Sequence, residues 1–434
     1  MTAAVLIAAP ASGQGKTTLA CALARLHARA GKRVRAFKCG PDFLDPQWLA
    51  LASSAPVHGL DLWINGEADC AQRLARAAAE ADLIVIEGVM GLHDGEPSAA
   101  DLALRFGVPV LAVVDASAMA GTLAAVAHGL HTWRSGLPWA GVMANRVAGA
   151  RHAQMLQQAV GERMPWCGAL MRDETFTLPS RHLGLAGAAE LPDALTRLDR
   201  AADALAATPL GQRPLSDWAP WQPPIATPTE PNLRLLAGRR IAVARDAAFA
   251  FIYAANVDTL RSLGAELLFF SPLAGDVLPH CDAVWLPGGY PELHAARLAE
   301  RTDLRDQLAA HLAVGRPVWA ECGGMMALAE TLVDGGGTAH ALWGLLPGTA
   351  VLGKRLAALG PHAWGQHDQA LRGHSFHWSR FDTPLAPWQH TRPARGAAAG
   401  NGEPIYRHGA LKASWFHPWF ASAPTLAAQL FLPD

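Results

Sequence analysis

The ten residues Ala9-Pro10-Ala11-Ser12-Gly13-Gln14-Gly15-Lys16-Thr17-Thr18 constrain this chain more than any other stretch. They follow a short apolar run, Ala4–Ala9, and open a helical pattern, Lys16–Ala30. Glycines at a strand-to-helix turn let backbone N–H groups approach phosphate oxygens. The helix N-terminus adds positive potential, Lys16 adds a charge, and the Thr17 hydroxyl suits Mg2+. The usual spacing G-x-x-x-x-G-K-[ST] is broken at its first position, where Pro10 stands. Nucleotide phosphates are still expected at Ser12, Gly13, Gln14, Gly15, Lys16, Thr17 and Thr18.

The surrounding pattern agrees with such a loop. Apolar runs at Val34–Lys38, Leu83–Glu87, Val110–Val114 and Gly141–Asn145 alternate with helical stretches such as Cys70–Glu80. Continuous apolar strands parted by helices imply a parallel sheet covered on both faces. The alternation stops at a proline-rich segment with seven prolines between Pro209 and Pro231. Proline fixes φ and removes a donor, so an extended linker is expected there, without helix or central strand. Beyond it the alternation returns, at Arg240–Ala244, Glu266–Phe270, Ala283–Leu286 and Pro317–Ala320. The expected fold class is α/β, in two domains. Residues 1–205 form a P-loop domain, 206–236 a linker, and 237–434 a second domain. A loop is expected at Ala397–Gly402.

Charge and cysteine content narrow the function classes. Lys and Arg number 36 against 37 Asp and Glu, which argues against a dedicated nucleic-acid binder. No apolar run approaches the ~18–20 residues that span a bilayer. The first nine residues lack a basic segment, so no signal peptide is expected. The six cysteines are scattered, with no C-x-x-C pair, which fits a reduced cytoplasm.

Two acids stand at strand ends beside the loop: Asp42 in Gly40-Pro41-Asp42-Phe43-Leu44-Asp45-Pro46, and Glu87 in Glu87-Gly88-Val89-Met90-Gly91-Leu92-His93-Asp94-Gly95. Ligands of open α/β sheets bind at the carboxyl ends of strands. Thr17, Asp42 and Glu87 are the expected Mg2+ donors.

A second site is written at Pro317-Val318-Trp319-Ala320-Glu321-Cys322-Gly323-Gly324. A nucleophile on a strand–turn–helix elbow is exposed to substrate. The helix N-terminus is expected to lower the thiol pKa. A buried structural cysteine is the competing reading. Gly288 and Gly289, after another strand, offer backbone N–H groups for an oxyanion. His417, in Ser414-Trp415-Phe416-His417-Pro418-Trp419, would complete a Cys–His pair for acyl transfer, unless it is a core histidine.

These stretches resemble known families. The second domain is similar to flavodoxin-like class I glutamine amidotransferases of the cobyrinate type, with Cys322 as nucleophile and His417 as base. The usual ending is His-Pro-Glu; here Trp419 takes the place of the acid, so the third triad member is missing. The first domain resembles dethiobiotin synthetase-like P-loop enzymes. Together they resemble the cobyrinate and hydrogenobyrinate a,c-diamide synthase family over nearly the whole chain. A family stretch that usually reads Gly-His-Glu-Phe-His-Tyr stands here as Gly373-His374-Ser375-Phe376-His377-Trp378. The resemblance implies that Asn145 recognises adenine, that Lys38 sits near the transferred phosphate, and that Asp45 and Asp94 act where a carboxylate is activated.

It implies the chemistry too. ATP with Mg2+ phosphorylates a carboxylate, and ammonia from glutamine, released through a thioester at Cys322, attacks the mixed anhydride. The substrate would be a tetrapyrrole polycarboxylate amidated at its a and c acetates, with the metal-free form preferred to the cobalt form. No nucleic-acid or membrane partner is expected, and a homodimer is left open. The alternatives are a Ni-sirohydrochlorin a,c-diamide synthase and a P-loop switch ATPase carrying an inactive glutaminase-like module.

Overall fold

The computed structural model describes residues 2–181, 184–185, 187–226, 233–366, 369–394 and 402–433. The chain divides into two compact units, Met1–Pro228 and Thr229–Asp434.

The first unit is built on strands β1 (Ala3–Ala8), β2 (Val34–Cys39), β3 (His58–Leu60), β4 (Leu83–Glu87), β5 (Val110–Asp115), β6 (Trp139–Val147) and β7 (Trp166–Met171). They form one parallel sheet in the order β3-β2-β4-β1-β5-β6-β7. β1 lies in the middle, and both of its faces are buried. Val5 and Ile7 join Leu19 and Leu23 of helix α1 (Lys16–Arg29) in one core. Leu6 and Ala8 join Leu102 and Phe106 in the other. A strand buried on both faces reads as an unbroken apolar run, which is why β1 was visible in the sequence. Helix α2 (Asp45–Ser53) carries a proline at its start, where the missing N–H costs no bond. The helix expected at Cys70–Glu80 begins earlier, at Glu67, after Gly66 with φ 83°.

The proline-rich segment does not stay extended throughout. Pro209 opens a short helix, Pro209–Gln212, capped by the Thr208 hydroxyl. Leu210 and Trp221 are buried against the first unit, and Trp221 Nε1 donates to Phe106 O at 2.9 Å. Large apolar side chains set among the prolines hold this part of the segment down, and proline tolerates the first helical position. Pro228 and Pro231, and residues 397–401 of the expected loop, lie outside the described residues.

The second unit has a seven-stranded sheet ordered Glu266–Phe270, Arg240–Ala244, Ala283–Leu286, Val318–Glu321, Leu411–Ser414, Pro404–His408, Gln389–His390. The first five strands are parallel, and the last two are joined on by antiparallel pairings. The five parallel strands follow the flavodoxin-like order. After Ser414 the chain leaves this sheet. His417–Pro418 pairs instead with Leu371–His377, in a separate antiparallel sheet. All six cysteines are free and buried. Among the described residues no helix is long and apolar enough to cross a membrane.

Candidate active sites

The loop between β1 and α1 turns through Gly13 (φ 78°) and Gly15 (φ 97°), backbone states that glycine adopts without strain. No side chain caps α1, and its first turn holds no acid, so its leading amides and its dipole remain available to an anion. Ser12 and Gly13 are exposed, while Thr17 and Thr18 are half-buried. Lys16 Nζ donates to Ala11 O at 3.0 Å and to Met90 O at 2.7 Å. Burial and the neighbouring Lys38 push its pKa down to about 8.

Gln14 and Asn145 bind the loop to the sheet. Gln14 Oε1 accepts from Asp115 N at 2.8 Å, and Asn145 Nδ2 donates to Gln14 O at 2.9 Å. A Cβ on Gly15 would lie 2.1 Å from Asn145 Nδ2. Asn145 therefore holds the loop's shape, whatever it contributes to adenine.

Lys38 gathers the acids. Its Nζ is 2.9 Å from Asp45 Oδ2, 3.3 Å from Glu87 Oε1, and donates to Gly88 O at 3.1 Å. Burial works against its charge, but Glu87 and Asp45 outweigh burial and hold the lysine pKa above its usual value. Asp45 is correspondingly lowered: burial opposes the shift and Lys38 overcomes it. Glu87 is raised, by burial first and then by Asp45. Thr17 Oγ1 donates to Glu87 Oε1 at 2.6 Å. Asp94 Oδ2 accepts from Gly91 N at 2.8 Å, a bond within the Gly88–Gly95 loop. Leu92 N donating to Ala9 O at 2.8 Å holds that loop beside the phosphate loop.

The donors suit Mg2+. Thr17 and Glu87 are hard oxygens side by side, and the buried Glu87 Oε2 makes no hydrogen bond. Asp42 is less free, because its Oδ1 accepts from the Leu44 and Asp45 amides at 2.8 and 3.0 Å in a turn ahead of α2. Among the described residues, no three His, Cys, Asp or Glu side chains group to hold a metal alone.

In the second unit, Cys322 joins the end of Val318–Glu321 to a helix at Gly323–Leu328. Its backbone sits at φ 44°, ψ −105°, a strained state for a non-glycine residue and typical of a nucleophile elbow. Four glycines make room for it. A Cβ on Gly289 or Gly324 would lie 2.1 Å from a backbone oxygen, and one on Gly323 would lie 2.8 Å from Gly289 N. The Gly289 amide is therefore beside the elbow, as an oxyanion donor must be. A Cβ on Gly288 would lie 2.4 Å from His417 Cε1. The structure thus gathers Cys322, His417, Gly288 and Gly289.

The protonation expected for the thiol is overturned. Burial, then Glu292, pushes Cys322 well above the ordinary cysteine value, and Glu403 and Glu321 add to that shift. The helix N-terminus does not prevail, because Cys322 is only 6% exposed and no cation stands among the groups acting on it. Burial also pushes His417 down to about 3. The resting pair is a thiol and a neutral imidazole.

Two acids near this pair were not singled out from the sequence. Glu321 Oε2 is 3.4 Å from His417 Nδ1. Glu403 Oε1 accepts from Ser375 Oγ at 2.9 Å and lies 3.2 Å from His377 Nε2. Glu321 directly precedes the nucleophile, and that adjacency was the available signal. Nothing in the linear sequence pointed to Glu403.

A phosphate loop on one parallel sheet and a cysteine–histidine elbow on another define the class: a nucleotide-binding domain joined to a glutamine amidotransferase domain. Residues 5–185 match the CobQ/CobB/MinD/ParA nucleotide binding domain, and residues 240–424 match the CobB/CobQ-like glutamine amidotransferase domain. The chain is 54% identical to a hydrogenobyrinate a,c-diamide synthase of Stutzerimonas stutzeri, over 99% of this chain and 98% of that protein. It is 53% identical to one of Pseudomonas aeruginosa, over 99% and 97%. A cobyrinate a,c-diamide synthase of Herminiimonas arsenicoxydans is 44% identical, over 99% and 97%. The chain belongs to the hydrogenobyrinate and cobyrinate a,c-diamide synthase family, and is a glutamine-dependent amidating ligase. The alternative of a switch ATPase with an inactive module falls with that result.

Proposed function

We propose that this enzyme uses ATP and glutamine to convert the a and c acetate carboxylates of a corrin-type tetrapyrrole to amides, a step of cobalamin biosynthesis. Hydrogenobyrinate is the favoured substrate, since the relatives of Stutzerimonas stutzeri and Pseudomonas aeruginosa carry that name, and cobyrinate is the second choice.

A carboxylate does not accept ammonia directly, because oxide is a very poor leaving group. A substrate carboxylate oxygen attacks the γ-phosphorus of ATP, the bond to ADP breaks, and an acyl phosphate forms. Ammonia then adds to the acyl carbon, and the tetrahedral adduct loses phosphate and a proton to leave the amide. Catalysis of phosphoryl transfer is mostly positioning and charge neutralisation. Lys16 and the loop amides would hold the β- and γ-phosphates. Lys38, kept charged by Asp45 and Glu87, would face the transferred group. Mg2+, held by Thr17 and Glu87, would supply further neutralisation. Asp45 and Asp94 would act at the carboxylate.

Ammonia comes from glutamine. The Cys322 sulfur attacks the side-chain amide carbon while His417 takes the thiol proton. The oxyanion is met by the Gly288–Gly289 backbone, His417 returns its proton to the amide nitrogen so that the adduct expels ammonia, and water hydrolyses the thioester to glutamate and the free thiol. Because the resting thiol is neutral, the proton transfer is part of the attack.

The observation that carries this reading is the presence, in one chain, of the Lys16–Lys38–Glu87 cluster and the Cys322 elbow. The test is direct. The protein is incubated with ATP, Mg2+, glutamine and, separately, hydrogenobyrinate, cobyrinate or Ni-sirohydrochlorin, and the products are weighed. Two amide conversions of hydrogenobyrinate are expected, with ADP and phosphate released. Conversion of Ni-sirohydrochlorin alone would replace the substrate assignment.

A further inference from the structure

The residue two after His417, which would usually be its acid partner, is Trp419. A buried base that becomes cationic without a counter-charge is costly. Glu321 meets that need from another direction. It occupies the last position of Val318–Glu321, one residue before the nucleophile. Its Oε1 accepts from Trp285 Nε1 at 2.9 Å and from Trp319 Nε1 at 2.8 Å. Its Oε2 lies 3.4 Å from His417 Nδ1. All four side chains are buried, with Glu321 at 2% and His417 at 1% exposure.

Burial raises the Glu321 carboxyl above its ordinary value; the two indole donors on one oxygen oppose that rise, keep the group from rotating and aim the other oxygen at the imidazole. A histidine that gives its Nδ1 proton to a carboxylate presents Nε2 as an acceptor. The distance of 3.4 Å is long for a neutral contact, and such contacts shorten when the base becomes charged. We propose that Glu321 is the missing third member of the triad: a positioning residue that fixes the tautomer of His417 and pairs with the imidazolium formed when Cys322 loses its proton. The acid has moved from two residues after the histidine to one residue before the cysteine.

This inference rests on the reading of Cys322 as the glutamine-hydrolysing nucleophile, and the experiment separates the two. Full-length Glu321→Gln, Glu321→Asp, Trp319→Phe and Cys322→Ala are assayed for amidation of hydrogenobyrinate with glutamine and with free ammonia. In Glu321→Gln the amide nitrogen can face Nδ1 and impose the wrong tautomer. The ratio of glutamine-dependent to ammonia-dependent rate is expected to fall by about 10²–10⁴-fold, through kcat rather than the KM for glutamine. Glu321→Asp should recover part of that loss. Trp319→Phe, which removes one donor but keeps the carboxylate, should lower the ratio less. An unchanged ratio in Glu321→Gln, with glutamine use abolished in Cys322→Ala, overturns the proposal. Glutamine use surviving in Cys322→Ala overturns the underlying reading instead. If Glu321→Gln loses both activities through misfolding, the other two Glu321 and Trp319 variants decide: a parental ratio in both rejects the proposal, and a lowered ratio supports it.

Discussion

Ser375 donates its hydroxyl proton to Glu403 across a buried 2.9 Å contact, which ties the strand Leu371–His377 to the residue just before Pro404–His408. The same oxygen lies 3.2 Å from His377 Nε2, and Glu403 N donates to Thr391 Oγ1 at 2.8 Å. Burial would raise this carboxyl, but the bonds and charge of His377 and the bond from Ser375 hold it below its ordinary value of 4.5.

The sign of the pH dependence follows. A carboxyl lowered on folding contributes stability that is present above the unfolded value and lost as pH falls through the folded one. Glu403→Gln should cost about 1–3 kcal/mol at pH 7, as expected when hydrogen bonds to a charged group are lost. The gap from the parent should close as the pH drops below about 4.5. Thermal melts at neutral and acidic pH measure both; a gap that stays constant would count against the carboxylate's role.

Lys16→Ala should lose amidation with either nitrogen source, because ammonia then has no activated acyl group to attack. A drop of about 10²–10³-fold is expected from removal of one positioned charge. Steady-state rates with glutamine and with ammonium salts check it, and full ammonia-dependent turnover would exclude a phosphate role for Lys16.

Asp45→Asn and Asp94→Asn should reduce amide formation more than glutamine hydrolysis. Asp45 is the 2.9 Å partner of Lys38, and Asp94 holds the Gly91 amide. Parallel assays of glutamate release and amide formation would reveal the difference, and the reverse pattern would remove these acids from the synthetase site.

Gly288→Ala places a methyl group 2.4 Å from His417 Cε1, which the buried imidazole cannot accommodate without moving. A displacement of about 1 Å at a reacting group costs on the order of 10²-fold in rate. Glutamine-dependent turnover should fall by at least that factor while ammonia-dependent turnover persists. A variant with parental glutamine kinetics would show that His417 need not stay where it is.

Much of the scaffold was legible because its signals are local. β1, Leu83–Ile86 and Ile241–Ala244 are unbroken apolar runs, and the loop at Gly13–Thr18 and the elbow at Cys322 are short motifs bounded by strand and helix patterns. What escaped notice depends on residues far apart in the chain. Glu321 stands beside Cys322 in sequence, but its partner His417 is 96 positions away. Glu403, just before the strand Pro404–His408, reaches Ser375 across 28 positions, on a strand of a different sheet. The thiol's protonation is not legible in the sequence, because a helix end is visible there and the depth of burial is not. The proline segment hides its helix for a related reason. Composition argued for extension, while Leu210 and Trp221 found a core to pack into.

The burial of every cysteine has a practical side. A chain with six thiols, none of them on the surface, gives a quiet chemical background. Single cysteines introduced at exposed positions in each unit would accept maleimide dyes ahead of the native ones. Energy transfer between such dyes would then report the distance between the labelled positions, in an enzyme whose native cysteines need not be replaced.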